Sequence, residues 1–208
     1  MLDLELVEEG RQTGLDIVSL RTMKKHMRIS SSNTALDDQI TDAIKEAAAS
    51  LHGRDGMLNR TIFPTVWRRY LPTFSGRVIQ LPYPPLIEVL SVGYENGESP
   101  QGAIDPANYT VRLNGSDGQI GEIELNAGCQ WPYFKPRPRG VWIQYRAGYL
   151  SYPPTLVRLV KILAAHNMEN LEATINEPRQ MAINRRVDFG VDYLAGLLRV
   201  PVALDDWE

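Results

Sequence analysis

The sequence is poor in the side chains that usually carry chemistry. It holds one cysteine, Cys129, and three histidines in 208 residues. A lone cysteine excludes an internal disulfide and a cysteine-rich zinc site, and it suits a reducing interior. Cys129 lies in NAGCQWP with no basic helix start beside it, so it reads as an inert thiol. His26, His52 and His166 are scattered; His166-x-x-Glu169 offers two ligands at helical spacing but no evident third. No metal and no cofactor are therefore expected. The phosphate-binding patterns G-x-x-x-x-G-K-S/T and G-x-G-x-x-G are missing, and so is the G-x-S-x-G elbow of a serine hydrolase. Asp37-Asp38 has the form of a paired-carboxylate site, but it falls in a first helical turn, where acids favour the helix dipole. Nothing here points to an enzyme.

Other absences narrow the class further. No apolar run approaches the roughly 18 residues of a membrane span. The opening MLDLELVEEG is acidic and lacks the basic start of a signal peptide, so a soluble protein made inside the cell is expected. The 22 basic and 25 acidic residues give a net charge of −3, which argues against a protein whose main task is coating nucleic acid. What is present is ordinary globular material, 43% hydrophobic and 23% charged, enough for one domain or a domain with an insert.

The organisation follows from hydrophobic period and punctuation. Residues 1–18 are acid-rich with little periodicity and read as an N-terminal arm, unfolded until a partner orders it. Ser19 can cap a helix with Leu20, Met23 and Met27 on one face. After the linker SSSNT, Leu36, Ile40, Ala43, Ile44, Ala47 and Leu51 recur at three- and four-residue steps, and Gly53 is a stop. From about 60 to 148 the period changes to that of strands. The runs are Thr61–Tyr70, Arg77–Leu81, Leu86–Tyr94, Tyr109–Leu113, Ile120–Leu125 and Val141–Tyr145. Asn96-Gly97 and Asn114-Gly115 are hairpin signals. Between the second and third runs stands the corner Pro82-Tyr83-Pro84-Pro85, which contains no reactive group; its prolines fix φ and remove donors, so two strands meet at a set angle. Helix resumes at Pro154, apolar nearly all round, and an amphipathic segment spans about Gly190 to Val200. The expected fold is α+β: a small helical bundle with an inserted antiparallel β-rich subdomain. Residues 19–200 would form one domain, with the helices in about 19–53 and 154–200, and 201–208 a tail.

Two stretches interleave aromatic and basic residues, TVWRRYLPTF (65–74) and CQWPYFKPRPRG (129–140). Such a mixture could stack bases in a charged groove, with Trp67-Arg68-Arg69 and Trp131 to Arg139 as the contacts. Alternation along a strand also gives an aromatic on one face and an arginine on the other. The second stretch reads better as an exposed, proline-stiffened loop that touches a partner protein through Trp131, Tyr133, Phe134, Lys135, Arg137 and Arg139.

The segments together resemble a family. SLRTMKKHMRIS, followed by DDQITDAIKEAAASLHGRDG, resembles the opening of the head–tail adaptor (connector) proteins of long-tailed phages and gene transfer agents. RVIQLPYPPLIEVLSVGYENG resembles their signature I-x-L-P-x-P-P-L-x-x-V-x-S-V-x-Y, and DPANYTV, IQYRAGY, PTLVRLVKILAAHNMEN and FGVDYLAGLLRV continue in the same order. The acidic start, the long loop 126–139 and HGRDG depart from the family pattern. The resemblance implies a structural neck protein of the virion, made in the host cytoplasm. It would form a homo-oligomeric ring, a dodecamer, between the portal protein and a tail-side neck or stopper protein. DNA would pass only as cargo in the channel, and no membrane is involved. It further implies that the C-terminal segment docks on the portal. Arg185, Arg186, Phe189, Leu194, Leu197, Leu198 and Trp207 supply an apolar stripe, cations and an aromatic anchor for that role; the alternative is that the stripe completes the monomer's own core.

Overall fold

The computed structural model describes residues 3–95, 102–113, 120–133, 135–169 and 190–200. The chain divides into two compact units: Met1–Gly10 with Arg60–Tyr149, and Arg11–Asn59 with Leu150–Arg199. The fold is α+β, as the change of period predicts.

The first unit holds the strands. β1 (Asp3–Glu8), β2 (Thr65–Leu71), β8 (Val141–Ala147), β4 (Leu86–Tyr94) and the short β5 (Gly102–Ala103) form an antiparallel sheet in the order β1-β2-β8-β4-β5. β3 (Val78–Leu81), β7 (Gly121–Leu125) and β6 (Tyr109–Arg112) form a second sheet in the order β3-β7-β6. Strict alternation along β8 sends Val141, Ile143, Tyr145 and Ala147 inward, where they join Trp67, Leu81 and Ile123 in one apolar cluster. The proline corner carries the chain from the second sheet, at β3, to the first, at β4. Its carbonyls are engaged at all three prolines. Pro82 O accepts from Tyr145 Oη at 2.8 Å, Pro84 O from Thr61 N at 3.1 Å and Pro85 O from Gly148 N at 2.8 Å. Tyr83 takes a left-handed φ of 59°, a conformation that costs a non-glycine residue on the order of 1 kcal/mol or more. Its ring stacks on Trp67 at 5.8 Å, which helps to offset that strain.

The first strand corrects the expectation of an unfolded arm over 1–18. Asp3–Glu8 is paired along β2, from Asp3 opposite Tyr70 to Glu8 opposite Val66. Its acids meet cations and a phenol that are distant in sequence: Asp3 binds Arg139, and Glu5 accepts from Tyr70 Oη at 2.5 Å with Arg68 at 3.9 Å. Matching charge stabilises a strand that composition alone disfavours. Farther along, Ile17 and Val18 are buried as well.

The second unit is helical: α1 (Gly14–Ile17), α2 (Leu20–His26), α3 (Asp37–Ala49), α4 (Pro154–Glu169) and α5 (190–198). Ser19 caps α2 by accepting from Thr22 N at 3.3 Å, as its position predicts. α3 buries the expected stripe of Ile40, Ala43, Ile44 and Ala47 together with Ala48, and packs against α4, which buries Leu156, Leu159, Val160 and Ala164. The small residues let the helices approach closely. α4 is buried on one face rather than all round; Val157, Ile162 and Leu163 are only partly covered. The two Asn-Gly hairpin signals lie outside the described residues.

Candidate interaction surface

Among the described residues the loop after β7 carries the most exposed aromatic side chain of the β-rich unit, and its residues divide into two sets. Trp131 turns inward. Its ring stacks on Phe74 with centroids 4.6 Å apart and planes 4° apart, and its Nε1 donates to Gly76 O at 3.0 Å. Arg137 and Arg139 close the far end. Arg137 N donates to Pro72 O at 3.1 Å, and its guanidinium lies 3.6 Å from Glu95. Arg139 grips Asp3 with two parallel hydrogen bonds, Nε to Oδ2 at 2.7 Å and Nη2 to Oδ1 at 2.8 Å, while lying over the Tyr70 ring at 4.6 Å. The fork geometry of guanidinium and carboxylate makes such a pair directional as well as charged. The three residues thus hold the loop. Tyr133 and Lys135 project from it, Tyr133 with 97% of its surface exposed. Phe134 lies outside the described residues.

The other aromatic-basic stretch does not form a stacking platform. Trp67 is 6% exposed and donates its indole N–H to Thr61 Oγ1 at 3.0 Å. Arg69 is 7% exposed and binds Gln80 O. Arg68 donates to Gln144 Oε1 at 2.9 Å and lies over Trp142. Alternation on β2 placed Trp67 and Arg69 on the core side, and the core needed both. Trp67 and Arg69 are therefore closed to a base, and the Trp67-Arg68-Arg69 contact of the nucleic-acid reading is corrected.

On the outer face of the first sheet, β2 and β8 set Arg68, Tyr70, Trp142, Gln144 and Arg146 side by side. Arg146 binds Glu88 at 2.6 Å. Trp142 lies flat across Gly93, so close that a Cβ there would come within 2.2 Å of the ring. This face sets charge pairs beside partly buried rings.

In the helical unit, α5 carries part of the predicted docking stripe. Leu194 and Leu198 are buried, as are Val191 and Ala195, whereas Leu197 is 59% and Tyr193 62% exposed. The 3.6-residue period marked an apolar stripe correctly, but the stripe faces this chain's own core; what remains outside is Tyr193 and Leu197. Arg199 Nε donates to Met57 O at 2.9 Å, fixing the helix end. Arg185, Arg186, Phe189 and Trp207 lie outside the described residues. Among the described residues no three of His, Cys, Asp and Glu stand together as a metal site would need, and no helix is long and apolar enough to cross a membrane.

No protein-family model matches the chain, and no curated protein does. Solved structures do. A chain in the neck of an empty gene transfer agent particle, computed with C6 symmetry, aligns at TM-score 0.68 over 98% of both chains with 19% identity. This chain shares its fold. A chain of the native gene transfer agent virion aligns at 0.68 over 97% of both, also at 19% identity. One in the native neck computed with C12 symmetry aligns at 0.61, over 99% of this chain and 98% of that one, at 19% identity.

Proposed function

We propose that the protein is a non-enzymatic head–tail adaptor of a virion neck, a ring component between the portal and a tail-side neck or stopper protein. The observation that carries this reading is the fold likeness along 98% of the chain to a neck component of a gene transfer agent particle. The C6 and C12 symmetries of those necks support a ring, and the sequence resemblance supports a dodecamer. The physical character of the chain agrees. A ring closes only when each subunit repeats the same rotation, so it needs surfaces held at fixed angles. The proline corner with its satisfied carbonyls and the Arg139–Asp3 fork are fixtures of that kind.

Within this reading the surfaces divide by unit. Tyr133 and Lys135, presented by a loop whose two ends are pinned, touch a neighbour in the neck. The C-terminal segment docks on the portal, with Leu197 and Tyr193 as the exposed groups of α5 and Arg185, Arg186, Phe189 and Trp207 completing the contact. Leu194 and Leu198 are buried and leave the docking role to the outward side chains. Self-association is weak in isolation and completed by the portal.

The test is assembly. The full chain mixed with its cognate portal protein, taken from the same genome, should sediment as a complex whose electron-microscopic averages show a ring on the portal. The variant Leu197→Asp, exposed and harmless to the core, should lose that complex. A wild-type chain that stays monomeric beside a competent portal ring would sink the adaptor reading. Loss of docking in wild-type and variant alike would say the same, whereas a variant that docks normally removes only α5 from the interface.

A further inference from the structure

A further charge asymmetry in the described chain lies on neither expected surface. It lies at α2. Between Ser19 and Leu36 there are four basic residues, Arg21, Lys24, Lys25 and Arg28, together with His26, and no acid at all, in a protein whose net charge is −3. Arg21, Thr22, Lys24, Lys25, Ile29 and Ser31 line an open pocket of about 560 Å³. Lys24 is the exception among the cations: 4% exposed, it is bound by Asp37 at 2.5 Å and reaches Ser31 O at 3.4 Å. It positions the turn after α2 against the start of α3. Arg21, Lys25 and Arg28 are exposed and have no ion-pair partner among the described residues.

Arg28 carries a second signal. α2 ends in a left-handed cap, with Ile29 N donating to Lys24 O at 2.9 Å and Arg28 N to Lys25 O at 3.3 Å. The residue in the left-handed position is Arg28, with φ 59°. Glycine is the usual occupant there, since a Cβ is strained in that conformation. A strained cation kept where glycine fits best is a reason to look for what its charge does.

The composition of the patch says which kind of partner it fits. Protein interfaces are anchored by buried aromatic and apolar groups, with lysine depleted at the centre. None of the large exposed hydrophobic side chains falls between residues 19 and 36. The patch instead offers exposed cations beside small hydroxyls and an amide: Thr22, Ser30, Ser31, Ser32 and Asn33. Those are the groups that contact phosphate oxygens without reading bases. We propose that the cationic pocket formed by α2 and the serine-rich turn binds the phosphodiester backbone of duplex DNA without sequence preference, through Arg21 and Lys25 in its lining and Arg28 at the end of the helix, with Lys24 as the positioning residue. This rests on the neck reading, which brings DNA past the protein.

The test uses the full chain and a fluorescein-labelled 20-base-pair duplex of arbitrary sequence, followed by polarisation from 50 to 200 mM salt. Wild type should bind at low salt, with affinity falling steeply as salt rises. The triple variant R21E/K25E/R28E should bind at least about tenfold more weakly, and its log–log salt slope should be shallower by about 3, near 0.9 for each phosphate that is no longer neutralised. Arg28→Gly separates charge from fold, because it should raise Tm while reducing the slope by about 1. That opposition would not arise if Arg28 were merely structural, and it holds even if the triple variant fails to fold. The proposal is overturned if wild type does not bind the duplex at 50 mM salt or if the folded triple variant binds within twofold of wild type. It is also overturned if poly-glutamate of matched charge competes as well as unlabelled duplex, which would mark an acidic protein segment as the partner. Portal assembly is scored on the same variants. A ring without DNA affinity removes this site alone; DNA affinity without a ring removes the neck reading.

Discussion

The β-rich unit and the helical unit solve burial in opposite ways. The first buries Arg60, Thr61, Thr65 and Arg69 beside its apolar cluster and aims each at a set partner; Arg60 lies over the Tyr149 ring at 5.6 Å and donates to its hydroxyl. Among the described residues the second buries one charge, Lys24, and otherwise fills its α3–α4 contact with aliphatic side chains and alanine. Directional bonds fix angles, whereas small apolar residues fix distances. A corner that turns one sheet into another needs the former, and two helices at close approach need the latter. Each unit should therefore tolerate a different kind of substitution.

The largest effect is expected at Trp67. Trp67→Ala removes the ring that stacks on Tyr83 and leaves Thr61 Oγ1 without its indole donor. The cavity and the broken stack together should cost about 3–5 kcal/mol, read by denaturant unfolding. In the helical unit Leu159→Met, a swap of similar volume at a fully buried site, should cost less than about 1.5 kcal/mol. Comparable destabilisation in the two variants would erase the contrast.

Next comes a pair of glycines under pressure from different neighbours. A Cβ on Gly14 would stand 2.5 Å from the Ile44 carbonyl oxygen, and backbone in the middle of α3 does not yield cheaply. Gly14→Ala should therefore cost about 1–3 kcal/mol. At Gly93 the Cβ would meet the Trp142 ring at 2.2 Å, but that side chain is only partly buried and can swing outward. Gly93→Ala should fall at or below the low end of the same range, with a change in tryptophan fluorescence that Gly14→Ala lacks. The reverse order of Tm decreases would show that the sheet's outer face is stiffer than the helix packing.

These sites also show what could be read from sequence and what could not. The limits of β4, Leu86–Tyr94, were legible because proline and Asn-Gly punctuate a β-branched run; the α3 stripe was legible because its period is unambiguous. The corner was legible as a corner, since proline fixes φ locally. β1 was not, because Asp3 and Glu5 are stabilised by Arg139, Arg68 and Tyr70, and no local rule joins residues so far apart. The fate of the α5 stripe was hidden for a related reason: periodicity shows that Leu194 and Leu198 share a face but not what covers it. Of the candidate loop, exposure was foreseen for Tyr133 and Lys135, while Trp131, Arg137 and Arg139 turned to partners within the unit.

A smaller effect concerns pH. Burial pushes the Tyr145 phenol far above the ordinary tyrosine range, with the Arg69 cation opposing and Tyr83 adding to the shift. In the unfolded chain the phenol ionises near its usual value of about 10. Below that pH both states are neutral and the group adds no pH dependence. Above it the unfolded state loses the proton first, so folded stability falls as pH rises. Tyr145→Phe should flatten that alkaline decline, while at neutral pH it costs about 1–3 kcal/mol because Pro82 O is left without its donor. An unchanged alkaline slope would mean that Tyr145 is not the group held neutral.

The smallest expected effect is at Arg139, where the contrast between the units is sharpest. The side chain makes a two-bond fork to Asp3 and a cation–π contact with Tyr70, yet it is 58% exposed, and so exposed a pair is screened by water and salt. Arg139→Ala should leave the global melting curve where it was. Its consequence should be local, because the fork joins the end of the loop to the first residue of the edge strand β1. Without it the amides of Asp3–Glu8 that bond to β2 should exchange with deuterium faster, and the fluorescence of Trp131, at the other end of the loop, should stay the same because the Phe74 stack and the Gly76 bond are untouched. High salt should do to wild type what the substitution does, and nothing further to the variant. If β1 exchange is unmoved in both, backbone pairing alone holds the strand. The acid–cation match on which the ordered N-terminus was explained would then be incidental. If instead the whole protein melts earlier, the fork is part of the unit's cooperative core, and exposure is a poor guide to its weight.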